Sequence, residues 1–177
     1  MEKGFTVWFT GLSSAGKSTL ASLLYAYIED QNYKVQLLDG DIMREGLGKI
    51  FGYKREDRIK VANIYRLICK VLNDNGIIVI TAAMAPFEEI RQANRKVLEN
   101  YVEVYVNCSI EKCIERDLKG IYKKAILGEE KNVIGIDEKF EEPKNADLVV
   151  CTDINSIDES FNEIKSYITS YNYLKVL

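Results

Sequence analysis

Histidine is absent from this chain of 177 residues. Without an imidazole the chain has no Ser-His or Cys-His pair, so nucleophilic catalysis of that kind is excluded. Its four cysteines, Cys69, Cys108, Cys113 and Cys151, form no CxxC pair and have no histidine with which to complete a zinc site. We therefore expect four reduced and partly buried thiols in a cytoplasmic protein.

An excess of basic charge is also lacking. The chain has 24 lysines and arginines against 27 aspartates and glutamates, and its net charge is −3. Nucleic acids and membranes are therefore not expected as partners. No apolar run approaches the roughly 18 residues that a membrane-spanning helix requires. The first predicted strand begins within a few residues of Met1, which leaves no room for a signal peptide.

Apolar residues make up 47% of the chain and charged residues 29%, and the length suits one domain covering residues 1–177. Apolar runs alternate with segments of helical spacing. The predicted strands are residues 5–10, a segment ending near residue 38, 77–83, 102–107 and 146–150. The predicted helices are residues 18–31, 55–73, 86–98, 109–117 and 157–171. Because the strand runs are continuously apolar, we expect a five-stranded parallel sheet with helices on both faces, a three-layer α/β fold.

The pattern breaks between Lys119 and Asn145 into charged sequence interrupted by glycines. This stretch is too long for an ordinary connection, and such segments often close over active sites. We call residues 119–145 the lid segment.

The first predicted strand leads into GLSSAGKS, residues Gly11–Ser18, which fits the pattern G-x-x-x-x-G-K-[ST] and opens a predicted helix. The glycines let successive backbone N–H groups turn towards phosphate oxygens, and the helix N-terminus adds its dipole. Lys17 can reach the β- and γ-phosphates of a nucleotide, and the Ser18 hydroxyl can bind Mg²⁺. The alternative is a glycine-rich turn that matches by chance. The candidate ATP-binding residues of this phosphate cradle, Gly11–Thr19, are Gly11, Ser13, Ser14, Ala15, Gly16, Lys17, Ser18 and Thr19.

Two classes of nucleotide-binding protein lack their signatures here. No N-K-x-D element is present to read guanine, and no long apolar strand ends in D-E as in many ATPase motors. A short chain with a cradle and a basic lid segment instead favours a small-molecule kinase that uses ATP.

A second polar motif, LLDGDIMR, follows the second predicted strand. Carboxylates at the carboxyl end of a parallel strand lie where ligands bind. Asp39 or Asp41 could orient an attacking hydroxyl and accept its proton, or hold Mg²⁺. Arg44 could bind a substrate phosphate through two hydrogen bonds. The alternative is a simple D-G-D turn with a surface arginine.

The cradle, the second motif and four further segments resemble the adenylylsulfate (APS) kinase family. The further segments are GYKREDR (residues 52–58), AMAPFEEIR (83–91), CIERDLKGIYKKA (113–125) and IGIDEKFEEP (134–143). They occur in the family's order and extend over nearly the whole chain. The resemblance implies a P-loop NTPase fold and transfer of the γ-phosphoryl group of ATP to the 3′-hydroxyl of a nucleoside 5′-phosphoanhydride. It also implies Mg²⁺ as the cofactor and a homodimer.

The family's residue roles can be carried over position by position. Asp39 would be the catalytic carboxylate and a ligand of Mg²⁺, and Ser18 would be the other protein ligand of the ion. Lys17 would be a second catalytic residue, on the phosphates of ATP. Lys119 and Lys123 of the lid segment would neutralise the transferring phosphate. Arg116 would lie against the ATP adenine. The implied acceptor-binding residues are Asp41, Arg44, Tyr53 (stacked on the base), Arg58 (on a phosphate), Met84, Ala85, Lys119 and Val133.

Three departures from the family pattern cluster at the acceptor side. Val61 replaces the asparagine that follows the DR motif, Ala85 replaces a serine, and Val133 replaces a phenylalanine. Val61 removes a hydrogen-bond partner, and Val133 removes an aromatic ring that could stack on the acceptor base. Because both changes alter which substrate fits, we predict an altered acceptor. We favour cytidine diphosphoramidate, phosphorylated in capsule modification. The alternatives are a diverged but genuine APS kinase and a nucleotide-binding module without catalysis.

Overall fold

Five parallel strands form one sheet in the structure, a computed structural model that describes residues 3–48 and 50–170. The strands are β1 (Thr6–Thr10), β2 (Val35–Asp39), β3 (Ile78–Ala82), β4 (Tyr101–Asn107) and β5 (Leu148–Cys151). Their order across the sheet is β2-β3-β1-β4-β5. In register, Thr6 of β1 lies beside Val79 of β3 and Tyr101 of β4. The predicted five-stranded parallel sheet is confirmed.

Helices cover both faces of the sheet. The structure has α1 (Lys17–Glu29), α2 (Gly40–Leu47), α3 (Arg55–Asp74), α4 (Glu88–Val97), α5 (Ile110–Arg116), α6 (Ile121–Ile126) and α7 (Ile157–Ser170). Helices α1 and α7 pack together, as do α3 and α4. Every residue of β1 and β3 is buried, which requires cover on both faces and confirms the predicted three-layer α/β fold. The last helix was predicted to reach Tyr171, which lies outside the described residues.

The apolar face of α1, predicted from the spacing of its apolar residues, packs against the sheet. Leu20, Leu24 and Ile28 recur every four residues and are buried where α1 contacts β1, β2 and β3. This packing holds the first turn of α1, and with it the cradle, at the carboxyl ends of the strands.

Two short helices were not predicted. Helix α2 begins directly after Asp39, whose carboxylate accepts a 2.8 Å hydrogen bond from the Asp41 N–H and so caps the helix. Helix α6 lies within the lid segment and buries Tyr122. Because Gly40 opens α2 and Gly120 precedes α6, the local sequence favours turns at both places.

All four cysteines are free thiols, as predicted. Cys69, Cys108 and Cys113 are buried, and Cys151 is half-buried. No helix in the described ranges combines the length and the apolar character needed to cross a membrane.

Candidate active site

The cradle turns sharply between β1 and α1. Gly11 has a φ of 141°, and a Cβ atom there would lie only 2.4 Å from the Val106 carbonyl oxygen of β4, so only glycine fits. Gly16 has a φ of 103° and immediately precedes α1. The Ser14 hydroxyl oxygen is buried and has no hydrogen-bond partner among the described residues. A bound phosphate would supply the acceptor that this hydroxyl lacks, so the cradle fits a nucleotide.

Lys17 closes the cradle from the first turn of α1. Its ammonium group donates a 2.6 Å hydrogen bond to the Leu12 carbonyl oxygen. The pKa of Lys17 is lowered to about 8, mainly by burial and next by the charge of Lys119, whereas Asp41 and Asp39 act in the opposite direction. The ammonium charge is therefore poorly compensated, and a triphosphate would stabilise it.

Ser18 and Asp39 bring the cradle and the second motif together. The Ser18 hydroxyl donates to one carboxylate oxygen of Asp39 at 2.6 Å, while the other oxygen caps α2. A hydroxyl and a carboxylate side by side fit Mg²⁺, because this ion commonly uses one or two protein oxygens together with water and substrate phosphates. These two residues would hold the ion, and their assignment as its ligands stays a prediction.

Two arginines place positive charge at the opposite end of the site. Arg44 donates to the carbonyl oxygens of Phe51 and Gly52, at 3.1 and 2.9 Å. Arg58 donates to the carbonyl oxygen of Tyr53 at 2.8 Å. Burial lowers the pKa of Arg58 to about 10, with the charge of Arg44 as the next cause. Two half-buried like charges side by side favour an anionic ligand between them.

Tyr53 lies against both of these arginines. The guanidinium carbon of Arg44 is 4.7 Å from the centre of the Tyr53 ring, and that of Arg58 is 5.4 Å away. The ring is 45% exposed. The structure therefore shows Tyr53 supporting the arginines from outside the cavity described next.

One cavity of about 220 Å³ joins the cradle to the arginines. Ser13 to Thr19, except Ala15, line its polar end together with Asp41 and Lys119. Its far end is apolar. The lining residues there are Trp8, Val61, Ala62, Tyr65, Ala82, Ala83, Met84, Ala85, Pro86 and Ile90. A polar end for phosphates and an apolar end for a flat ring together suit two nucleotides that meet through their phosphate groups.

The lid segment is attached to the cradle at its start. The Arg116 guanidinium donates to the carbonyl oxygens of Ser14 and Thr152, at 3.4 and 2.6 Å. The buried Tyr122 hydroxyl of α6 donates to the Ser13 carbonyl oxygen at 3.1 Å. Lys119 forms an ion pair with Asp41 across the mouth of the cavity.

The end of the lid segment is attached to the opposite side of the cavity. The Glu141 N–H donates to the Pro86 carbonyl oxygen at 2.9 Å, and the Glu141 carboxylate accepts from the Glu88 N–H at 2.7 Å. The same carboxylate pairs with Arg55 at the start of α3, at 3.0 Å.

Known proteins resemble this chain over nearly its full length. The adenylylsulphate kinase family model matches residues 3–151. The adenylyl-sulfate kinase of Gloeothece citriformis is 38% identical over 98% of this chain and 99% of its own length. This chain belongs to the adenylylsulphate kinase family. The enzyme of that name from Halothermothrix orenii is 39% identical over 99% of this chain and 95% of its own length.

A solved structure shows the same fold. The APS kinase of Mycobacterium tuberculosis in complex with AMPPNP and APS is 35% identical, covers 96% of this chain and 99% of its own, and superposes with a TM-score of 0.90. The P-loop kinase fold predicted from the sequence is therefore confirmed. As a member of the adenylylsulphate kinase family, the chain is an ATP-dependent phosphotransferase that acts on a hydroxyl group. This membership favours an enzyme over a non-catalytic nucleotide-binding module.

The structure brings most of the predicted site residues of this kinase into one cavity. The predicted residues that line it are Ser13, Ser14, Gly16, Lys17, Ser18, Thr19, Asp41, Arg44, Arg58, Met84, Ala85 and Lys119. Four further predicted residues lie behind this lining. Asp39 and Arg116 bond to Ser18 and Ser14, and the Gly11 N–H donates to the Met84 carbonyl oxygen at 3.4 Å. The Ala15 carbonyl oxygen accepts from Thr152 at 2.7 Å.

Three predicted residues lie away from the cavity lining. Tyr53 lies outside it, Lys123 is exposed on α6, and Val133 is buried in the lid segment. Val133 is nevertheless close to the arginines, because Arg58 donates to the carbonyl oxygen of its neighbour Asn132 at 2.9 Å.

The sequence did not indicate two aromatic residues that line the apolar end. Trp8 is part of an apolar strand, and its indole N–H donates to the Ala83 carbonyl oxygen at 2.9 Å. Tyr65 lies in the middle of α3, and its hydroxyl is 3.3 Å from the Gly40 carbonyl oxygen. Burial raises the pKa of Tyr65 to about 12, so its hydroxyl stays neutral. Both residues match the spacing expected of core side chains, so pattern alone could not separate them from the core.

Proposed function

We propose that this chain is an adenylyl-sulfate kinase, which transfers the γ-phosphoryl group of ATP to the 3′-hydroxyl of adenylylsulfate (APS). One observation carries the proposal: a single cavity is lined by the cradle, by Ser18, which is hydrogen-bonded to Asp39 behind it, and by two half-buried arginines, Arg44 and Arg58. The names of the relatives favour this acceptor over cytidine diphosphoramidate, which the sequence had led us to prefer.

The donor nucleotide binds at the polar end of the cavity. Backbone N–H groups of the cradle and the Lys17 ammonium bind the β- and γ-phosphates. Mg²⁺ held by Ser18 and Asp39 would neutralise phosphate charge. Arg116 lies beside the adenine.

The acceptor binds at the other end. Arg44 and Arg58 bind its 5′-phosphosulfate anion, and Asp39 orients its 3′-hydroxyl and accepts the proton as oxygen attacks the γ-phosphorus. The bond from the γ-phosphorus to the bridging oxygen breaks, and that oxygen leaves with ADP. Lys119, released from Asp41, neutralises charge on the transferring group. The rate enhancement comes from positioning and charge stabilisation.

The test compares two acceptors with the wild-type protein, ATP and magnesium, by measuring ADP release. We expect kcat/KM for APS to exceed that for cytidine diphosphoramidate by at least about tenfold, which corresponds to about 1.4 kcal/mol of barrier. A preference for cytidine diphosphoramidate would overturn the assignment of APS. A protein that binds ATP and turns over neither acceptor would overturn both.

Cytidine diphosphoramidate remains the second candidate because of Val61. This side chain lines the cavity and cannot form a hydrogen bond with a polar edge of the acceptor base. A pyrimidine is smaller than adenine and would not need to reach this wall. If Val61 limits APS binding, Val61→Asn should raise kcat/KM for APS and leave that for cytidine diphosphoramidate unchanged. Leu67→Asn, on the exposed face of the same helix, is the control.

We also propose that residues 1–177 act as one kinase domain, with residues 119–145 as its lid, and that the protein is a homodimer in the cytoplasm, where ATP is available. Light scattering on the purified protein should then give about 40 kDa, twice the chain mass of 20.2 kDa. A mass of one chain would contradict the dimer.

A further inference from the structure

The segment Ala83–Pro86, which we call the β3 wall, forms one side of the apolar end of the cavity. Ala85 within it has a φ of 43°, in the left-handed region that residues other than glycine rarely adopt. Pro86 follows, and a residue before proline normally adopts an extended conformation. Such a backbone persists only where surrounding contacts hold it.

Three side chains hold successive carbonyl groups of the β3 wall. The Trp8 indole donates to the Ala83 carbonyl oxygen at 2.9 Å, and the Thr10 hydroxyl donates to that of Met84. The Arg91 guanidinium donates to the carbonyl oxygen of Ala85 at 2.9 Å. Arg91 thus holds the residue whose backbone is strained, and it does so with a charged donor, which makes the stronger kind of hydrogen bond.

Arg91 is itself fixed from the opposite side. It is only 2% exposed, and it lies 3.7 Å from the carboxylate of Glu103, which is buried in β4. A second contact, at 2.6 Å, joins it to Glu88 in the first turn of α4. Its Nε atom lies too far from Glu103 to form a hydrogen bond and has no other partner among the described residues. The orientation of Arg91 therefore depends on the charge of Glu103 and on its contacts with Glu88 and Ala85.

We propose that Arg91 is a positioning residue for the acceptor: oriented by Glu103, it holds Ala85 in the conformation that shapes the β3 wall. Arg91 does not line the cavity and acts only through the Ala85 carbonyl group. The inference rests on the proposed function, in which the apolar end of the cavity binds the acceptor and the cradle binds ATP.

Arg95 provides a matched control one turn along α4. It also pairs with Glu103, at 3.5 Å, and with Asp147, at 2.9 Å, but it makes no contact with the β3 wall. If both arginines only compensated the charge of the buried carboxylate, their replacement would lower stability, more so at the buried Arg91, without a selective rise in KM for the acceptor.

The kinetic test compares Arg91→Met with Arg95→Met. We expect Arg91→Met to raise KM for APS by about tenfold or more, since small displacements of a binding wall have effects of this size. KM for ATP should change less than about twofold, because the cradle is untouched. Arg95→Met should leave both KM values near those of the wild type. Equal effects of the two variants, or equal losses for APS and ATP, would overturn the proposal.

A second variant covers the case in which Arg91→Met fails to fold. Arg91→Met combined with Glu103→Gln removes the buried charge together with its partner, a replacement that cores often tolerate. This double variant also lacks the contact with Ala85, so the same increase in KM for APS is expected. A wild-type KM for APS in the double variant would overturn the proposal.

Amide hydrogen exchange separates this inference from the choice of acceptor. In the unliganded protein, the Gly11 and Glu141 amides donate to the carbonyl oxygens of Met84 and Pro86 in the β3 wall, at 3.4 and 2.9 Å. They should exchange faster in Arg91→Met, at least about tenfold, and at the wild-type rate in Arg95→Met. Unchanged exchange in Arg91→Met would overturn the positioning role. If exchange responds as expected but the wild type phosphorylates neither acceptor, the proposed function fails and the structural role of Arg91 stands.

Discussion

The Ser18 hydroxyl and the Asp39 carboxylate are joined by a 2.6 Å hydrogen bond, although 20 residues separate them in the sequence. Ser18 lies in the first turn of α1, which follows β1, and Asp39 ends β2. Since β3 lies between these two strands in the sheet, the contact spans the gap above its carboxyl end. The proposed donor site and the proposed catalytic carboxylate are thereby adjacent.

Replacing Asp39 with asparagine should separate catalysis from binding. The amide side chain in Asp39→Asn keeps the shape and can still cap α2, but it cannot accept a proton from the attacking hydroxyl. We expect kcat to fall by about 10²- to 10⁴-fold. The Kd for ATP measured without Mg²⁺ should change by less than about threefold, because the cradle is intact. ADP release and calorimetric titration measure the two quantities. Asp30→Asn, on the exposed end of α1, is the control, and an unchanged kcat in Asp39→Asn would remove Asp39 from the mechanism.

ATP affinity should depend on pH through Lys17. Its pKa is lowered to about 8 in the unliganded protein, mainly by burial. Bound phosphate favours the charged ammonium, so binding takes up a proton above about pH 8 and weakens as the pH rises. We expect the Kd for ATP to rise by up to about tenfold per pH unit between about pH 8 and 10. Lys17→Met should bind ATP weakly without this dependence, and a flat Kd in the wild type would contradict the role of Lys17.

Lys17 also links pH to stability in the unliganded protein. Because its pKa is lower in the folded than in the unfolded chain, its charge destabilises the folded state. This cost is fully present below about pH 8 and disappears as the pH approaches the ordinary lysine value of 10.5. The difference in unfolding free energy between wild type and Lys17→Met should therefore shift in favour of the wild type between about pH 8 and 10. Urea unfolding at several pH values measures it, and a shift in the opposite direction would contradict the burial of this ammonium.

Two glycines should respond in opposite ways to the same substitution. Gly11→Ala places a methyl group 2.4 Å from the Val106 carbonyl oxygen at an unfavourable φ. We expect it to lower the unfolding free energy by about 2–4 kcal/mol and to weaken ATP binding. Gly46→Ala, in α2, meets no atom within 4 Å and should raise stability by about 0.5–1 kcal/mol. Denaturant unfolding measures both, and a neutral Gly11→Ala would contradict the cradle geometry.

Removing one hydroxyl should loosen the lid segment. Tyr122→Phe deletes the donor to the Ser13 carbonyl oxygen, and burial raises the pKa of this tyrosine so far that it remains a donor at all ordinary pH values. We expect a loss of about 1–2 kcal/mol in unfolding free energy and a higher Kd for ATP. Tyr25→Phe, which removes an exposed hydrogen bond to Glu29, is the control and should be near neutral. Identical results for the two variants would contradict the coupling of α6 to the cradle.

The sequence predicted the sheet because the strands and the cradle are local patterns. Val7 and Phe9 belong to one apolar run, and Gly11 to Ser18 is a contiguous motif, so each could be read without knowledge of the fold. Helix α2 was missed because Gly40 favours a turn and the cap made by Asp39 is a three-dimensional feature.

The parts of the site that depend on distant contacts could not be predicted. Arg91 appears in the sequence as one charge on an amphipathic helix, whereas its function depends on Glu103, 12 residues away, and on the strained Ala85. Trp8 and Tyr65 have the spacing of core residues, and only the shape of the cavity shows that they border it. Charge pairing and cavity shape arise from the tertiary fold and leave no periodic signal in the chain.

Tyr122 and Glu141 attach the two ends of the lid segment on opposite sides of the cavity. A segment that is attached at both ends cannot open by rotation about a single hinge. Its middle is attached as well, because Arg58 donates to the Asn132 carbonyl oxygen at 2.9 Å and Val133 is buried. Opening the segment would therefore require one of these attachments to break, and the rate of nucleotide exchange would depend on their strength as well as on the chemistry of the site.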